Sequence, residues 1–193
     1  IIGAATKKRW LEIKKNIKNK NYTTLKDLGS CYGFFPISAA REFGMFTTGY
    51  DYNKKFIRIS RSLIPENITK KCGFQYFRID SESIKHLHQT DVTLCLSIWH
   101  HWVRMWGLKT ATEMLKDLWS TTKQELYFET GEEEVSEEFN LPFKKDAKNW
   151  IENYLRKELQ NSKVERIGEF DAGSYKHYTK NIKRSVYKVS RKQ

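Results

Sequence analysis

Residues 24–51 have the sequence TLKDLGSCYGFFPISAAREFGMFTTGYD, and this stretch decides the fold class. A short apolar strand, 24–28, leads into a loop with glycines at positions 29 and 33, and the helix FPISAAREF then ends at Gly44. The second strand, MFTTGYD, finishes on an acidic residue. This order predicts a parallel strand–helix–strand unit with a nucleoside-binding crevice at the carboxyl ends of its strands.

The rest of the chain continues the alternation of strands and helices. Further strands are predicted at 74–80, 91–99 and 124–130. Further helices are predicted at 9–18, 52–63, 109–122 and 145–160. The last two strands, 164–170 and 184–191, are joined by a polar loop over 171–183. We therefore predict an α/β, Rossmann-like fold with a mostly parallel seven-stranded sheet, helices on both faces and a C-terminal antiparallel hairpin.

Length and charge limit the number of domains and the kind of partner. The 193 residues, 39% of them hydrophobic, are enough for one ordinary domain, so we expect a single domain over 1–193 that begins with a basic helical segment, 1–20. Lys and Arg outnumber Asp and Glu by 35 to 23, and such a surface attracts phosphates, nucleic acid or anionic membranes. A lysine-favouring codon bias would produce the same excess.

The cysteines and acids argue against a disulfide framework and a metal centre. Cys31, Cys72 and Cys95 are odd in number and lack C-x-x-C spacing, which favours a reducing, cytoplasmic setting. No apolar run approaches the roughly 20 residues that a membrane span needs. The acidic stretch 131–139, GEEEVSEEF, is interpreted as a solvated loop rather than a metal site, so we expect no metal.

Small and acidic residues mark the predicted crevice. Gly29, Ser30 and Gly33 would let the backbone approach a ligand and present N–H groups to it, although the loop lacks full G-x-G-x-x-G spacing. Asp51 ends the second strand, where a carboxylate can accept both hydroxyls of a ribose. Asp80, at the predicted end of the third strand, would reach an adenine amino group. Either carboxylate could instead cap a helix.

The ordered series DLGSCYG, GYD, RID, DVTLCLSIWHHW and the pair VERIGEF and SVYKVSR resembles class I S-adenosylmethionine-dependent methyltransferases over nearly the whole chain. The late hairpin separates it from nicotinamide dehydrogenases. The resemblance implies S-adenosyl-L-methionine as cofactor and S-adenosyl-L-homocysteine as product, with Cys31 where many members have glycine. The cofactor-binding residues expected on this basis are Asp27, Gly29, Ser30, Cys31, Gly33, Asp51, Tyr52, Asp80 and Ser97.

A narrower similarity concerns the acceptor. The segments GFF, LCLSIWHHWVRMWG and IGEFDAG resemble the methyltransferase domain of bacterial O-antigen chain-terminating enzymes, which methylate a terminal phosphate on a polysaccharide. The LCLS segment and the following WG also resemble methylphosphate capping enzymes of RNA. The resemblance implies methyl transfer to an oxygen acceptor, a phosphate or hydroxyl of a glycan. RNA methylation and an inactive, cofactor-binding scaffold are the alternatives.

Residues after the fourth strand are the candidates for catalysis. A hydroxyl acceptor needs a base, and His100 or His101 would lie beside the methyl group. A phosphate acceptor is already anionic and needs cationic donors, of which Arg104 is the local one. Glu129, at the end of the fifth strand, would face the acceptor. His100 could instead pack under the sheet, and Arg104 could be solvated.

Overall fold

The computed structural model describes residues 3–172 and 182–192, so most of the polar loop predicted at 171–183 and the first two residues of the basic segment lie outside the described residues. The strands are β1 Thr24–Leu28, β2 Phe46–Asp51, β3 Cys72–Tyr76, β4 Thr90–Leu96, β5 Thr122–Glu129, β6 Ser162–Asp171 and β7 Lys183–Arg191. The α-helices are α1 Ala4–Ile17, α2 Phe34–Phe43, α3 Lys54–Ser62, α4 Trp99–Ser120 and α5 Ala147–Glu158. Single 3₁₀ turns lie at Glu66–Ile68, Ser83–His86 and Glu133–Val135.

The seven strands form one sheet in the order β3-β2-β1-β4-β5-β7-β6. The first five run parallel, and β7 is antiparallel to both of its neighbours, β5 and β6. The order reverses between β1 and β4, so the loops after these two strands diverge and leave a crevice at the carboxyl edge. The predicted architecture, with its C-terminal hairpin, is confirmed.

Apolar side chains bury both faces of the sheet. On one face α4 and α5 pack through residues such as Leu115 and Leu155. On the other face Trp10 and Ile13 of α1 join Ala39 of α2. The indole N–H of Trp10 donates to Glu42 Oε1 at 3.0 Å, which ties α1 to α2. The basic first helix is therefore part of the core.

Several element boundaries differ from the sequence predictions, and α1 begins at Ala4 rather than at residue 9. Strand β3 spans 72–76 rather than 74–80, because Asp80 Oδ1 accepts the Ser83 N–H at 2.9 Å and turns the chain out of the sheet. Strand β4 ends at Leu96, and Ser97 adopts a φ of 59°, which breaks the strand before Trp99. Helix α4 therefore begins ten residues before the predicted helix, and it is kinked at Gly107, whose φ is 78°.

The acidic stretch 131–139 is only partly the solvated loop that its composition predicts. Glu137 and Glu138 are exposed, whereas Glu132 is only 2% exposed and Val135 and Phe139 lie in the core. Apolar residues within the acidic run pull the segment inward, so its carboxylates must find partners inside the protein.

Candidate active site

Two clefts open at the carboxyl edge of the sheet, and the loop 29–33 forms a wall of both. The larger, here the β2–β3 cleft, has a volume of about 630 Å³ and lies beyond β2, β3 and β4. Its walls include Asp51, Tyr52, Ile79, Ile98, His101 and Trp102. The smaller, here the α1 cleft, has a volume of about 480 Å³. Its walls include Thr6, Asp27, Ser30, Phe35 and Leu96.

The loop between the clefts depends on left-handed backbone conformations. Gly29 has a φ of 69°, and a Cβ there would lie 2.2 Å from Ile98 Cδ1. Cys31 has a φ of 49°, a conformation that costs a non-glycine residue about 1–3 kcal/mol. The Cys31 N–H donates to Asp51 Oδ2 at 2.9 Å, which offsets that cost. A cysteine thus keeps the loop shape that a glycine adopts readily.

Asp51 is fixed at the mouth of the β2–β3 cleft. Its second oxygen, Oδ1, accepts the Asn53 N–H at 2.8 Å, so each carboxylate oxygen holds one backbone N–H. The residue is 7% exposed. Each oxygen keeps a lone pair for a further donor, and the carboxylate is oriented before any ligand arrives. Next to it, the Tyr52 side chain is 73% exposed at the cleft rim.

Asp27 is the opposite case, a buried carboxylate without a partner. It lines the α1 cleft, and its Oδ2 has no hydrogen-bond partner within the described residues. Burial, with a smaller contribution from the charge of Asp51, raises its pKa well above the usual value for an aspartate. The Ser30 hydroxyl lines the same cleft and is likewise unpartnered in the described chain. A cationic donor in the cleft would satisfy both groups.

Glu129, at the end of β5, is the centre of a buried ion-pair network. Arg9 Nε of α1 donates to Glu129 Oε2 at 2.5 Å, and Arg9 Nη2 donates to the Asp171 carbonyl at 3.1 Å. The Ser97 hydroxyl donates to Glu129 Oε1 at 2.6 Å. The Glu129 carboxylate is therefore occupied by Arg9 and Ser97, and it joins α1 to the ends of β4 and β5.

A second arginine extends this network to the acidic stretch. Arg184 Nε of β7 donates to Glu134 Oε1 at 2.6 Å, and Arg184 Nη1 donates to the Ser97 hydroxyl at 3.4 Å. Glu132 Oε1 accepts the Ser185 N–H at 2.5 Å, while burial raises the pKa of the Glu132 carboxyl. Sequence reasoning missed Arg9 and Arg184, because Arg9 and Glu129 are 120 positions apart and no local pattern links them.

His100 packs against the chain after β5. Its Nδ1 accepts the Gly131 N–H at 3.0 Å and lies 3.2 Å from Thr130 Oγ1. Burial, with the nearby His101 and the positive charge of Arg184, lowers the His100 pKa to about 2. The ring is therefore neutral, with its proton on Nε2, and it supports the backbone at Gly131.

His101 and Arg104 take different positions on the first turns of α4. The His101 side chain lines the β2–β3 cleft, and partial burial together with the charges of Arg104 and Arg184 lowers its pKa. Arg104 is exposed, lies over the Phe139 ring and pairs with Glu138 at 3.5 Å. Of the three residues expected to be catalytic, only His101 is a wall of either cleft.

The chain resembles known proteins in sequence and in structure, although no family model matches it. The O-antigen chain terminator bifunctional methyltransferase/kinase WbdD of Escherichia coli is 29% identical over 166 residues, which are 85% of this chain and 21% of that protein. The chain thus spans about a fifth of the length of the curated relatives it matches. A structure of the bifunctional kinase-methyltransferase WbdD superposes with a TM-score of 0.71 at 25% identity, covering 96% of this chain and 38% of that one.

The fold also matches a methyltransferase of ordinary length. Magnesium protoporphyrin IX methyltransferase from Synechocystis PCC 6803, solved with bound SAH, has a TM-score of 0.67 at 15% identity and covers 97% of this chain and 83% of its own. The similarity in sequence and in structure supports a class I S-adenosylmethionine-dependent methyltransferase. The resemblance seen in the motifs therefore extends over nearly the whole chain.

Two of the expected cofactor residues, Asp80 and Ser97, are not walls of either cleft. Asp80 accepts the N–H groups of Glu82 and Ser83, and these hydrogen bonds, first of all those from Ser83, lower its pKa. Arg78 and Ile79 line the cleft in its place. Ser97 points toward Glu129 rather than toward the glycine loop. Neither Asp80 nor Ser97 is among the residues that line the two clefts.

The described part of the chain contains no group of three or more His, Cys, Asp and Glu side chains arranged to hold a metal ion. In the same residues, no helix is both long and apolar enough to cross a membrane.

Proposed function

We propose that this chain binds S-adenosylmethionine across the loop 29–33 and transfers the methyl group to an oxygen of an anionic acceptor. Among anionic acceptors, a phosphorylated glycan is the first candidate. One observation carries the proposal. The loop separates a carboxylate already oriented by backbone N–H groups, Asp51, from a buried carboxylate, Asp27, whose Oδ2 has no hydrogen-bond partner within the described residues. A ligand with a diol at one end and an ammonium group at the other would satisfy both.

The residues present fit the cofactor. The free lone pairs of Asp51 would accept the ribose hydroxyls, and the apolar side chains of Ile79 and Ile98 would enclose the adenine. Asp27 and Ser30 would hold the amino acid part in the α1 cleft. The cleft of about 630 Å³ lies within the range of about 300–1,000 Å³ typical of small-molecule sites. When bound, S-adenosylmethionine supplies the electrophilic methyl group of a sulfonium.

The protein's own contribution would be alignment of the acceptor. Orientation of two reactants can lower a barrier by about 7–11 kcal/mol in favourable cases. A phosphate oxygen is already anionic and needs no base. A hydroxyl acceptor would need one, and His101 is the histidine that lines the cleft. His100 would act as a positioning residue for the chain at Gly131 because its Nδ1 is already occupied.

The glycan acceptor is supported by the relative, which is named an O-antigen chain terminator and methyltransferase. The excess of basic residues suits an anionic acceptor. RNA ends are the second anionic acceptor class, supported by the same charge.

The free cysteines Cys31, Cys72 and Cys95 suit the reducing cytoplasm. We also propose that residues 1–193 act as one catalytic domain, since α1 contributes to the core and lines a cleft.

Calorimetric titration with S-adenosylhomocysteine, with NADH as the control nucleotide, tests the cofactor site. We expect micromolar binding of the first and none of the second. Methyl transfer from labelled S-adenosylmethionine to a phosphorylated mannose oligosaccharide and to a 5′-phosphorylated RNA then tests the acceptor. A folded protein that fails to bind S-adenosylhomocysteine would overturn the proposal, and transfer to the RNA alone would replace the glycan.

A further inference from the structure

Two segments of the chain carry the same charge but differ in how that charge is neutralised. Residues 3–20 and residues 52–79 each contain seven Lys and Arg and one Glu, so each has a net charge of +6, half of the +12 of the whole chain. In the first segment, four of the seven cations form ion pairs. These are Lys8 with Asp171, Arg9 with Glu129, Lys14 with Glu42, and Lys15 with Glu12.

The second segment also contains seven cations. They are Lys54, Lys55, Arg58, Arg61, Lys70, Lys71 and Arg78. Within residues 3–172 and 182–192, none of the seven forms an ion pair with a carboxylate. Like charges that share one surface repel each other and favour the binding of anions.

These cations follow α3 and the edge strand β3, and we call this surface the α3–β3 edge. Lys54 Nζ lies 5.2 Å from the centre of the Tyr76 ring at the carboxyl end of β3. Lys71 Nζ lies 5.8 Å from the centre of the Phe46 ring at the other end. Between them Arg61 Nη2 donates to the Phe74 carbonyl at 2.8 Å. A five-residue strand spans roughly 16 Å, so the charge extends over that length.

The α3–β3 edge begins at the mouth of the β2–β3 cleft. Tyr76 and Arg78 are walls of that cleft, and Tyr52 and Asn53 join it to the first turn of α3. A molecule whose reactive end lies in the cleft could therefore continue along the edge of the sheet.

We propose that the α3–β3 edge binds the chain of the acceptor, a glycan that carries phosphate groups on more than one unit. This inference rests on the proposed function and extends it from the reacting group to the polymer behind it. A single terminal phosphate would engage only one or two of the seven cations. A glycan with phosphate groups on several of its sugar units would match a row of cations about 16 Å long.

Two aromatic rings hold cations of this edge in place. The Tyr76 and Phe46 rings each have a lysine ammonium over one face. The glycan is preferred over single-stranded nucleic acid because it is the acceptor class of the proposed function. Bases could still stack on exposed rings, so the test includes a single-stranded RNA.

The test compares two triple variants that remove the same charge. The first changes Lys54, Lys55 and Arg58 of the α3–β3 edge to Gln. The matched control changes Lys7, Lys14 and Lys15 of α1 to Gln. Fluorescence anisotropy measures the binding of a labelled phosphomannan oligosaccharide, a neutral mannan oligosaccharide of the same length and a ten-nucleotide oligouridylate. Circular dichroism checks that both variants are folded.

We expect the phosphomannan oligosaccharide to bind at least about tenfold more weakly to the edge variant, and to bind less tightly to the wild type as salt rises. The control variant should change affinity by less than about twofold, since two of its three lysines already have carboxylate partners. Equal losses in both variants, equal binding of the neutral glycan, or tighter binding of the oligouridylate would overturn the proposal.

Titration with S-adenosylhomocysteine keeps this result separate from the proposed function. Both variants should bind it as the wild type does, because none of the changed residues lines a cleft. Failure of the wild type to bind it would defeat the proposed function, while the oligosaccharide measurement would still decide the role of the α3–β3 edge.

Discussion

The carboxylates at the ends of β1 and β2 differ from those after β5 in the partners they have. Asp27 has an unpartnered oxygen, and Asp51 holds only backbone N–H groups. Glu129 and Glu134 are instead paired with Arg9 and Arg184. The same type of residue, at the same edge of one sheet, is thus available to a ligand on one side and belongs to an ion-pair network on the other. What distinguishes the two is whether a guanidinium from a distant element reaches the carboxylate.

The largest expected effect is the loss of stability on changing Glu129, in the ion-pair network after β5. Glu129→Ala leaves Arg9, whose side chain is 11% exposed, without its carboxylate, and breaking a buried ion pair in this way costs about 3–5 kcal/mol. We expect the free energy of unfolding in urea to fall by that amount. Glu82→Ala, which removes the partner of the exposed Lys85, is the control and should change little. Equal losses would mean that the Glu129 network is no part of the framework.

The next effect separates two aspartates on the ligand side. Asp51→Ala removes an oriented acceptor and should weaken S-adenosylhomocysteine binding about 10- to 100-fold, the equivalent of about one hydrogen bond to a charged group. Asp80→Ala is the matched control, because Asp80 caps a turn outside the clefts. Its affinity should match that of the wild type. A comparable loss on changing Asp80 would place it in the site after all.

Asp27→Asn should change stability and binding in opposite directions. The folded-state pKa of Asp27 is raised, so the wild type loses stability as the pH rises from the unfolded value of about 3.9 through the folded value. The Asn variant lacks this loss and should have a higher melting temperature at neutral pH. Its affinity for S-adenosylhomocysteine should fall about tenfold, because an amide attracts an ammonium group less than a carboxylate does.

Proton release gives a second measurement for Asp27. If its carboxyl is protonated when the cleft is empty, an incoming ammonium group must displace that proton, and affinity must rise with pH through the raised pKa. Calorimetry in two buffers that differ in protonation enthalpy reports the proton directly. Equal heats in both buffers, with unchanged stability of the Asn variant, would contradict the assignment.

The smallest effect concerns His100 on the framework side. Its folded pKa of about 2 lies below the unfolded value of about 6.5, so its contribution to stability is present above pH 6.5 and is lost as the pH falls. Between pH 7 and pH 6 the loss is under about 1 kcal/mol. His100→Gln should reduce the slope of unfolding free energy against pH over this interval. An unchanged slope in a folded variant would contradict this role of His100.

Local sequence patterns predicted the residues at the ends of β1 and β2 better than the ion-pair network around Glu129. The glycines at 29 and 33 and Asp51 sit in one continuous stretch, so spacing alone placed them together. The Glu129 network joins α1, β5 and β7, and its geometry appears only when the sheet has formed. Composition alone favoured a solvated acidic stretch, whereas Val135 and Phe139 draw it into the core.

The boundary errors share a physical cause. An apolar run such as DVTLCLSIW contains no periodicity that separates the end of a strand from the start of a helix. The break at Ser97 depends on its hydrogen bonds to Glu129, which the local sequence does not show. Asp80 likewise leaves the sheet because of a turn with Ser83, which a strand pattern does not exclude.

The kink at Gly107 has a consequence for how such enzymes diverge. Before it, α4 carries the cleft walls His101 and Met105, and after it Leu115 and Leu118 are fully buried. A helix without the break would transmit every change of direction in the wall to those core positions. With the break at Gly107 between them, an exposed wall position such as Met105 can change without a shift at Leu115 and Leu118, whereas Trp102 belongs to both the wall and the core.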